Sequence, residues 1–283
     1  MPTVVDRIKK AADQLTTAER KVAAFITGDP QSVAFGTVAE VATRSGASGA
    51  SVVRLATKLG YSGFSELQGA VQAELGQRLR PAAERIRQRT SDDLLSAGLT
   101  AAMTCVQATF AGIDPGRLDA IVRLLSVRQR TVWVVAGDAS SGVAHQFAVE
   151  MSMLRPNVVE LTGSPVNVAR QLADIGNRDV VIALDLRRYD RWVLDAVTMA
   201  TAAGATVVAL TDGPLSPLAK GAAHLVTIEA DGVGPFDNYV GALATLAAIT
   251  AGVADRLRGP ATAHLDRIEE AWTGTGALVD QPD

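Results

Sequence analysis

At 283 residues the chain is long for one small module and suits two domains, or one large α/β domain with an appendage. Hydrophobic residues make up 48% and charged residues 20%, which excludes a disordered or fibrous chain. With only 4% aromatic residues the core falls to Ala, Val and Leu, as where helices pack on one another or on a parallel sheet. The single cysteine, Cys105, excludes an internal disulfide and a thiolate metal site built from this chain alone. The charged N-terminal stretch MPTVVDRIKKAADQLTTAERK lacks a signal-peptide core, and the apolar run from Val240 to Val253 is shorter than a membrane span and reads as a buried helix. The expectation is a cytoplasmic protein with no membrane span, no metal and no cofactor.

The net charge of −3 hides an asymmetry. Up to Arg89 there are 13 Lys+Arg against 8 Asp+Glu, a balance of +5, whereas the remainder holds 14 against 22, a balance of −8. A basic N-terminal module joined to an acidic C-terminal one is expected where one end meets a polyanion. The same excess also occurs on ordinary helical domains.

Residues 1–77 read as helices. Val4, Ile8, Ala11 and Leu15 recur at helical spacing, and a second helix, announced by Thr17 and Glu19, buries Val22, Phe25 and Ile26 until Asp29-Pro30 ends it. Thr37 and Glu40 make a capping box for a short helix carrying Val38, Val41 and Ala42. Gly46 suits a tight turn, and Ser48 caps a helix running to Gly60 with Val52, Leu55, Ala56 and Leu59 as its buried stripe. Ser51, Arg54 and Lys58 fall on the opposite face. Two short helices about a glycine turn, with small residues opening the second, describe a helix-turn-helix. Thr37, Ser48, Ala50, Ser51, Arg54 and Lys58 are its candidate DNA-facing residues, Arg54 for a guanine edge or phosphate and Lys58 for backbone. A plain helical bundle used for dimerisation is the alternative.

Residues 78–128 read as a basic linker and connecting helices. Arg80-Pro81 opens a stretch with Arg85, Arg87 and Arg89, solvated charges or DNA-backbone contacts. A long helix follows with Leu94, Leu95, Leu99, Met103, Val106 and Phe110 on its apolar side, and Asp114-Pro115 begins another. Cys105 reads as a small buried side chain.

Residues 129–258 read as α/β. TVWVVAG, VVEL, DVVIALD, ATVVALTD and AHLVTIEA are five β-branched runs, most of them separated by helix-length stretches, which predicts a five-stranded parallel sheet flanked by helices, with ligands beyond the strands' carboxyl ends. After the first run, Gly137 to Gly142 offers backbone N–H groups and the hydroxyls of Ser140 and Ser141 as an anion cradle, unless these serines only cap a helix. The spacing is not a dinucleotide fingerprint. His145 and Glu150 do not share a helix face, His224 starts the fifth strand, and His264 lies in a C-terminal tail, residues 259–283, whose end is expected to fray. No catalytic residue is assigned.

The run TTAERKVAAFITGDPQSVAFGTVAEVATRSGASGASVVRLATKLGYSGFSELQ resembles the helix-turn-helix domain of the RpiR/MurR family of bacterial transcriptional regulators. Thr131 to Arg256 resembles the sugar isomerase (SIS) domain that the family carries behind it and uses to sense phosphosugars or related metabolites. The resemblance implies a phosphate loop of the form Ser-x-Ser-Gly-x-Thr after the third strand, but the matching positions read Asp185-Leu186-Arg187-Arg188-Tyr189-Asp190. An aspartate there repels phosphate, while adjacent arginines suit an anion. The resulting expectation is an anionic or polyhydroxylated effector, with Arg187 or Arg188 on the anion and Asp185 accepting hydroxyl hydrogen bonds. In the alternative, Asp185 pairs with one of these arginines or Asp190 with Arg191, and the domain serves dimerisation alone. Thr211, in a loop similar to the SIS pattern Thr-x-x-x-x-Ser-Pro-Leu-Ala, and Asn238 are further candidates, whereas Ser216 caps a helix opened by Pro217. The implied partners are double-stranded operator DNA, a small-molecule effector and a second copy, as homodimer or homotetramer. SIS domains also occur in sugar-phosphate isomerases, the second reading.

Overall fold

The computed structural model describes residues 3–78, 81–87, 93–214 and 216–278. They form two compact units, the first made of the residues up to Arg87 together with Pro214 and Ser216–Lys220, the second of the rest.

In the first unit local capping sets the helices. Thr3, Thr16 and Thr37 each close a capping box, with Asp6, Glu19 and Glu40, over α1 (Val4–Ala11), α2 (Thr17–Gly28) and α4 (Val38–Ser45). Helix α2 begins at Thr17, as expected from sequence, with Thr16 as its cap. Asp29-Pro30 does more than end α2: Asp29 accepts the Ser32 N–H and Pro30 takes the first position of a further helix, α3 (Pro30–Phe35). Helices α5 (Gly49–Lys58) and α6 (Phe64–Arg78) follow, then the single turn α7 (Ala82–Arg85). Val22, Ile26, Val33, Leu55 and Leu67 are fully buried in a common core. From α6, Gln68 Nε2 donates to the carbonyls of Val33 and Gly36, and Gln72 Nε2 to that of Ala34, satisfying the open end of α3.

The second unit opens with α8 (Leu94–Ala111) and α9 (Pro115–Leu125). Strand and helix then alternate: β1 (Val132–Ala136), α10 (Ser141–Leu154), β2 (Val158–Glu160), α11 (Pro165–Leu172), β3 (Val180–Leu184), α12 (Arg191–Ala202), β4 (Thr206–Thr211), β5 (His224–Thr227), α13 (Val240–Arg256) and α14 (Arg258–Thr275). All pairings are parallel, in the order β2-β1-β3-β4-β5. Strands β1 and β3 are buried throughout, as a sheet covered on both faces requires. They end level, Ala136 opposite Leu184, and the chain leaves β1 toward β2 but β3 toward β4. That reversal is the topological switch point, outside whose strand ends ligands of such sheets ordinarily bind.

Three expectations are refined here. Helix α9, expected as a connecting helix, also contributes Ile121, Val122 and Leu125 to the core that contains the strands of the sheet. The tail expected from residue 259 is helical as far as Thr275, in α14, which packs on α10 and buries Ala261 because its apolar side finds a partner there; of the end expected to fray, residues 279–283 lie outside the described residues. Helix α8 buries Cys105 and Thr109 but leaves Leu94, Leu95, Leu99, Met103 and Phe110 between 40% and 86% exposed. It is also long and apolar enough, by length and composition, to cross a membrane, where the sequence reading singled out only Val240 to Val253. Its flank is instead fixed in the fold: Thr109 Oγ1 accepts the Glu229 N–H, and Cys105 Sγ donates to the Asp231 carbonyl.

Arg155, fully buried, organises the entry to β1. Its guanidinium donates to the carbonyls of Leu125 at the end of α9 and of Arg128 and Arg130 in the turn that follows, and Nε to that of Pro156. A cation at the C-terminus of α9 meets the negative end of the helix dipole. Burial still lowers its pKa to about 10.

Candidate functional site

In the first unit Gly46 adopts φ 64°, a left-handed backbone that glycine takes without Cβ strain, and its N–H closes α4 on Ala42 and Thr43. Ser48 then accepts the Ser51 N–H at 3.2 Å and starts α5. Val52, Leu55 and Ala56 bury one face of α5 against its neighbours, and Ala50, Val53, Arg54 and Thr57 remain exposed on the other.

The predicted DNA-facing set is divided by this geometry. Ser48, Ala50 and Arg54 are exposed; so is Thr37, whose hydroxyl is engaged with Glu40 in the capping box. Ser51 does not face outward as expected: it is 2% exposed, its hydroxyl 2.9 Å from Ser48 Oγ and accepting from Arg54 Nη2 at 3.0 Å. Lys58, expected on the DNA backbone, donates instead to Glu19 Oε2 at 2.8 Å and to the Gln14 carbonyl at 2.9 Å. The Lys58 hydrogen bond and the Thr16 amide hold the Glu19 carboxyl down to about 2. Helical spacing from Ala50 points to Val53 and Thr57 as face-mates of Arg54, a signal in the sequence that went unread.

In the second unit Ser140, Ser141, Asp185, Arg187 and Arg188 follow the carboxyl ends of β1 and β3, whereas Thr211 ends β4 and Asn238 precedes α13. Gly137 N–H donates to the Leu184 carbonyl at 3.1 Å, joining the two strand ends. Ser140 is fully buried and donates to the Gly137 and Leu184 carbonyls; Ser141 Oγ donates to the Asp138 carbonyl. Asp185 is 3% exposed and pairs with neither arginine. Its carboxylate accepts the N–H groups of Leu186 at 2.9 Å and Asp190 at 2.7 Å. Burial, with Asp190 and Asp212 nearby, raises its pKa to about 6 against the pull of those two amides.

Arg187, expected on an anionic ligand, sits between Asp231 and Asp237, the latter at 3.3 Å. Its backbone is left-handed at φ 59°, with its N–H on Asp212 Oδ1. Arg188 is exposed. Asp190 accepts the Asp138 N–H, and Arg191 faces Asp195, so the expected alternative of Asp190 with Arg191 is not what forms. Thr211 is fully buried and donates to Asp212, which also accepts the Tyr189 hydroxyl at 2.6 Å. Asn238 Oδ1 accepts the Val240 N–H, a capping role at α13. Ser216 accepts the Leu218 N–H over a single 3-10 turn, Pro217–Ala219.

His145 lies 2.8 Å from Glu160 at the end of β2, while Glu150 bonds to Gln146. His224 is half-buried, which lowers its pKa, and His264 contacts the Ser152 carbonyl. Cys105 is buried, which pushes its thiol pKa up, the setting of an unreactive side chain. Among the described residues no group of His, Cys, Asp and Glu has the arrangement of a metal site.

Two family models match this architecture: the rpiR-family helix-turn-helix domain over residues 3–78 and the SIS domain over 125–252. The chain belongs to the RpiR family. Among its relatives the transcriptional regulator HexR of Pseudomonas aeruginosa is 25% identical over 99% of both chains. An HTH-type transcriptional regulator of Haemophilus influenzae is 27% identical over 79% of this chain and 78% of its own. The sugar isomerase domain of an RpiR transcription factor from Sphaerobacter thermophilus superposes with a TM-score of 0.59 at 26% identity, covering 63% of this chain and 99% of that one. Vibrio vulnificus NanR, solved with ManNAc-6P, has a TM-score of 0.56 at 21% identity over 96% of this chain and 99% of its own. In this RpiR protein the SIS match begins at residue 125, within α9.

Proposed function

We propose that this chain is a DNA-binding transcriptional regulator in which α5 enters the major groove and the SIS unit senses a small anionic or polyhydroxylated metabolite. The observation that carries the reading is α5 itself: a helix started by Ser48 after a left-handed glycine, with Ala50 and Arg54 outward, inside a chain that aligns end to end with a regulator. NanR, whose structure holds ManNAc-6P, motivates a ligand panel of phosphosugars, sugar acids, amino sugars and polyols. Fluorescence anisotropy on fragments flanking the protein's own gene tests both halves. Specific binding shifted by one member of the panel is expected, and binding that follows net charge alone sinks the regulator reading.

The functional form proposed is a homodimer in the cytoplasm. Helix α8 has no charged residue from Leu94 to Ala111, and its exposed leucines offer nothing to a polyanion and suit the same face of a second copy. A symmetric pair would present two recognition helices to successive major-groove faces. The second reading, a sugar-phosphate isomerase, has the His145–Glu160 pair in its favour as an acid–base couple. Sugar-phosphate isomerisation by the purified protein, abolished in His145→Ala, would establish it; no turnover is expected.

A further inference from the structure

Ala50, Val53, Arg54 and Thr57 share the exposed face of α5, which carries no carboxylate from Gly49 to Lys58. At helical spacing Val53 and Arg54 lie on either side of the line from Ala50 to Thr57. The polar members of this face are oriented by the helix itself: Thr57 gives its hydroxyl proton to the Val53 carbonyl at 3.2 Å, and Arg54 Nη2 donates to Ser51 Oγ. Val53 is the outlier. It is 42% exposed, although Val52, Leu55 and Ala56 already supply α5 with its contacts to the core. A β-branched residue in an exposed helix interior gains little from packing and restricts the helix, where alanine or lysine serves better. The stability of the unit therefore does not account for a valine at this position.

The chemistry of a major groove does. Every base edge there offers donors or acceptors, and thymine alone adds an apolar group, its 5-methyl. A side chain with neither donor nor acceptor favours that methyl and disfavours the other bases, whose polar edges it would desolvate without a partner. We propose that Val53 is a specificity-determining residue of α5, packing on a thymine 5-methyl in the same half-site that Arg54 contacts. The inference rests on reading α5 as the helix that enters the major groove, and it names one base that the helix selects. The missing carboxylates and the neighbouring guanidinium suit a polyanionic duplex as the partner of this face.

The test uses the full-length chain and a fragment flanking its own gene, amplified once with dTTP and once with dUTP. Uracil pairs as thymine does and lacks only the methyl. Fluorescence anisotropy compares wild type, Val53→Ala and Arg54→Ala on both fragments. Alanine removes both γ-methyls and favours the helix, so Val53→Ala is expected to keep its Tm. Wild type is expected to bind the thymine fragment at least about fourfold more tightly than the uracil one, the effect of burying one methyl-sized group. Val53→Ala is expected to bind the two alike. Equal binding of both fragments by wild type overturns the inference, and this comparison depends on no variant. A Val53→Ala protein that keeps the wild-type preference for thymine overturns it as well. Arg54→Ala separates the failures: if it binds DNA as tightly as wild type, the placement of α5 in the groove fails and the inference with it. Weakened binding by Arg54→Ala, with no preference for thymine in wild type, fails the inference alone.

Discussion

At the scale of single residues, position on α5 separates a reader from a brace. Arg54 is exposed and, among the described residues, bonded to Ser51, so Arg54→Ala should leave Tm unchanged and cost about 1–3 kcal/mol of DNA affinity or discrimination in anisotropy titrations. Lys58→Ala, by contrast, strands a 2%-exposed Glu19 and should lower Tm along with DNA affinity. Glu19 also sets an acid limit. Its pKa falls from 4.5 to about 2 on folding, so the stability it contributes is complete above pH 4.5 and is lost as pH falls toward 2. Asp185 runs the other way: its pKa rises from 3.8 to about 6, the folded state binds the proton more tightly, and the second unit's stability falls as pH rises across that window. Denaturant melts between pH 3 and 7 should show the slope, and Asp185→Asn should remove it. Arg155→Met should cost about 3 kcal/mol in the same assay, since buried carbonyls lose a charged donor.

At the scale of elements, capping and periodicity made most helices legible in the sequence, because their causes lie within a turn: Thr37 with Glu40, Ser48 with Ser51, and Gly46 with the two carbonyls it closes. Gly46→Val should cost about 1–2 kcal/mol, as a β-branched residue is strained at φ 64°. The misreadings have the same locality. Asp29-Pro30 carries equal signals for a stop and a start, and only the carbonyls that Gln68 and Gln72 cap show that a helix follows. Periodicity predicts the apolar side of α8 but does not say what covers it. With Leu95 at 86% and Leu99 at 62% exposure, Leu95→Glu together with Leu99→Glu should leave the protomer folded and convert the proposed dimer to monomer in light scattering.

At the scale of the whole molecule, the basic N-terminal and acidic C-terminal balances follow the division into two units, one built to meet a polyanion and one that gathers carboxylates beyond the carboxyl ends of its strands. The monomerised α8 variant should also bind its operator more weakly than wild type, since two half-sites are then no longer engaged together. The sequence by itself determined most of the elements, the parallel sheet and the loops at its carboxyl edge, since strand runs, turn residues and caps act over a few positions. Tertiary structure alone decided how the site's charges are used: Lys58 finds Glu19 across 39 positions, Arg187 finds Asp231 across 44, and Asp190 reaches Asp138 across 52. The reason is physical. A charged side chain's character depends on which partners and how much water surround it, and the burial that fixes both is set by the packing of distant segments.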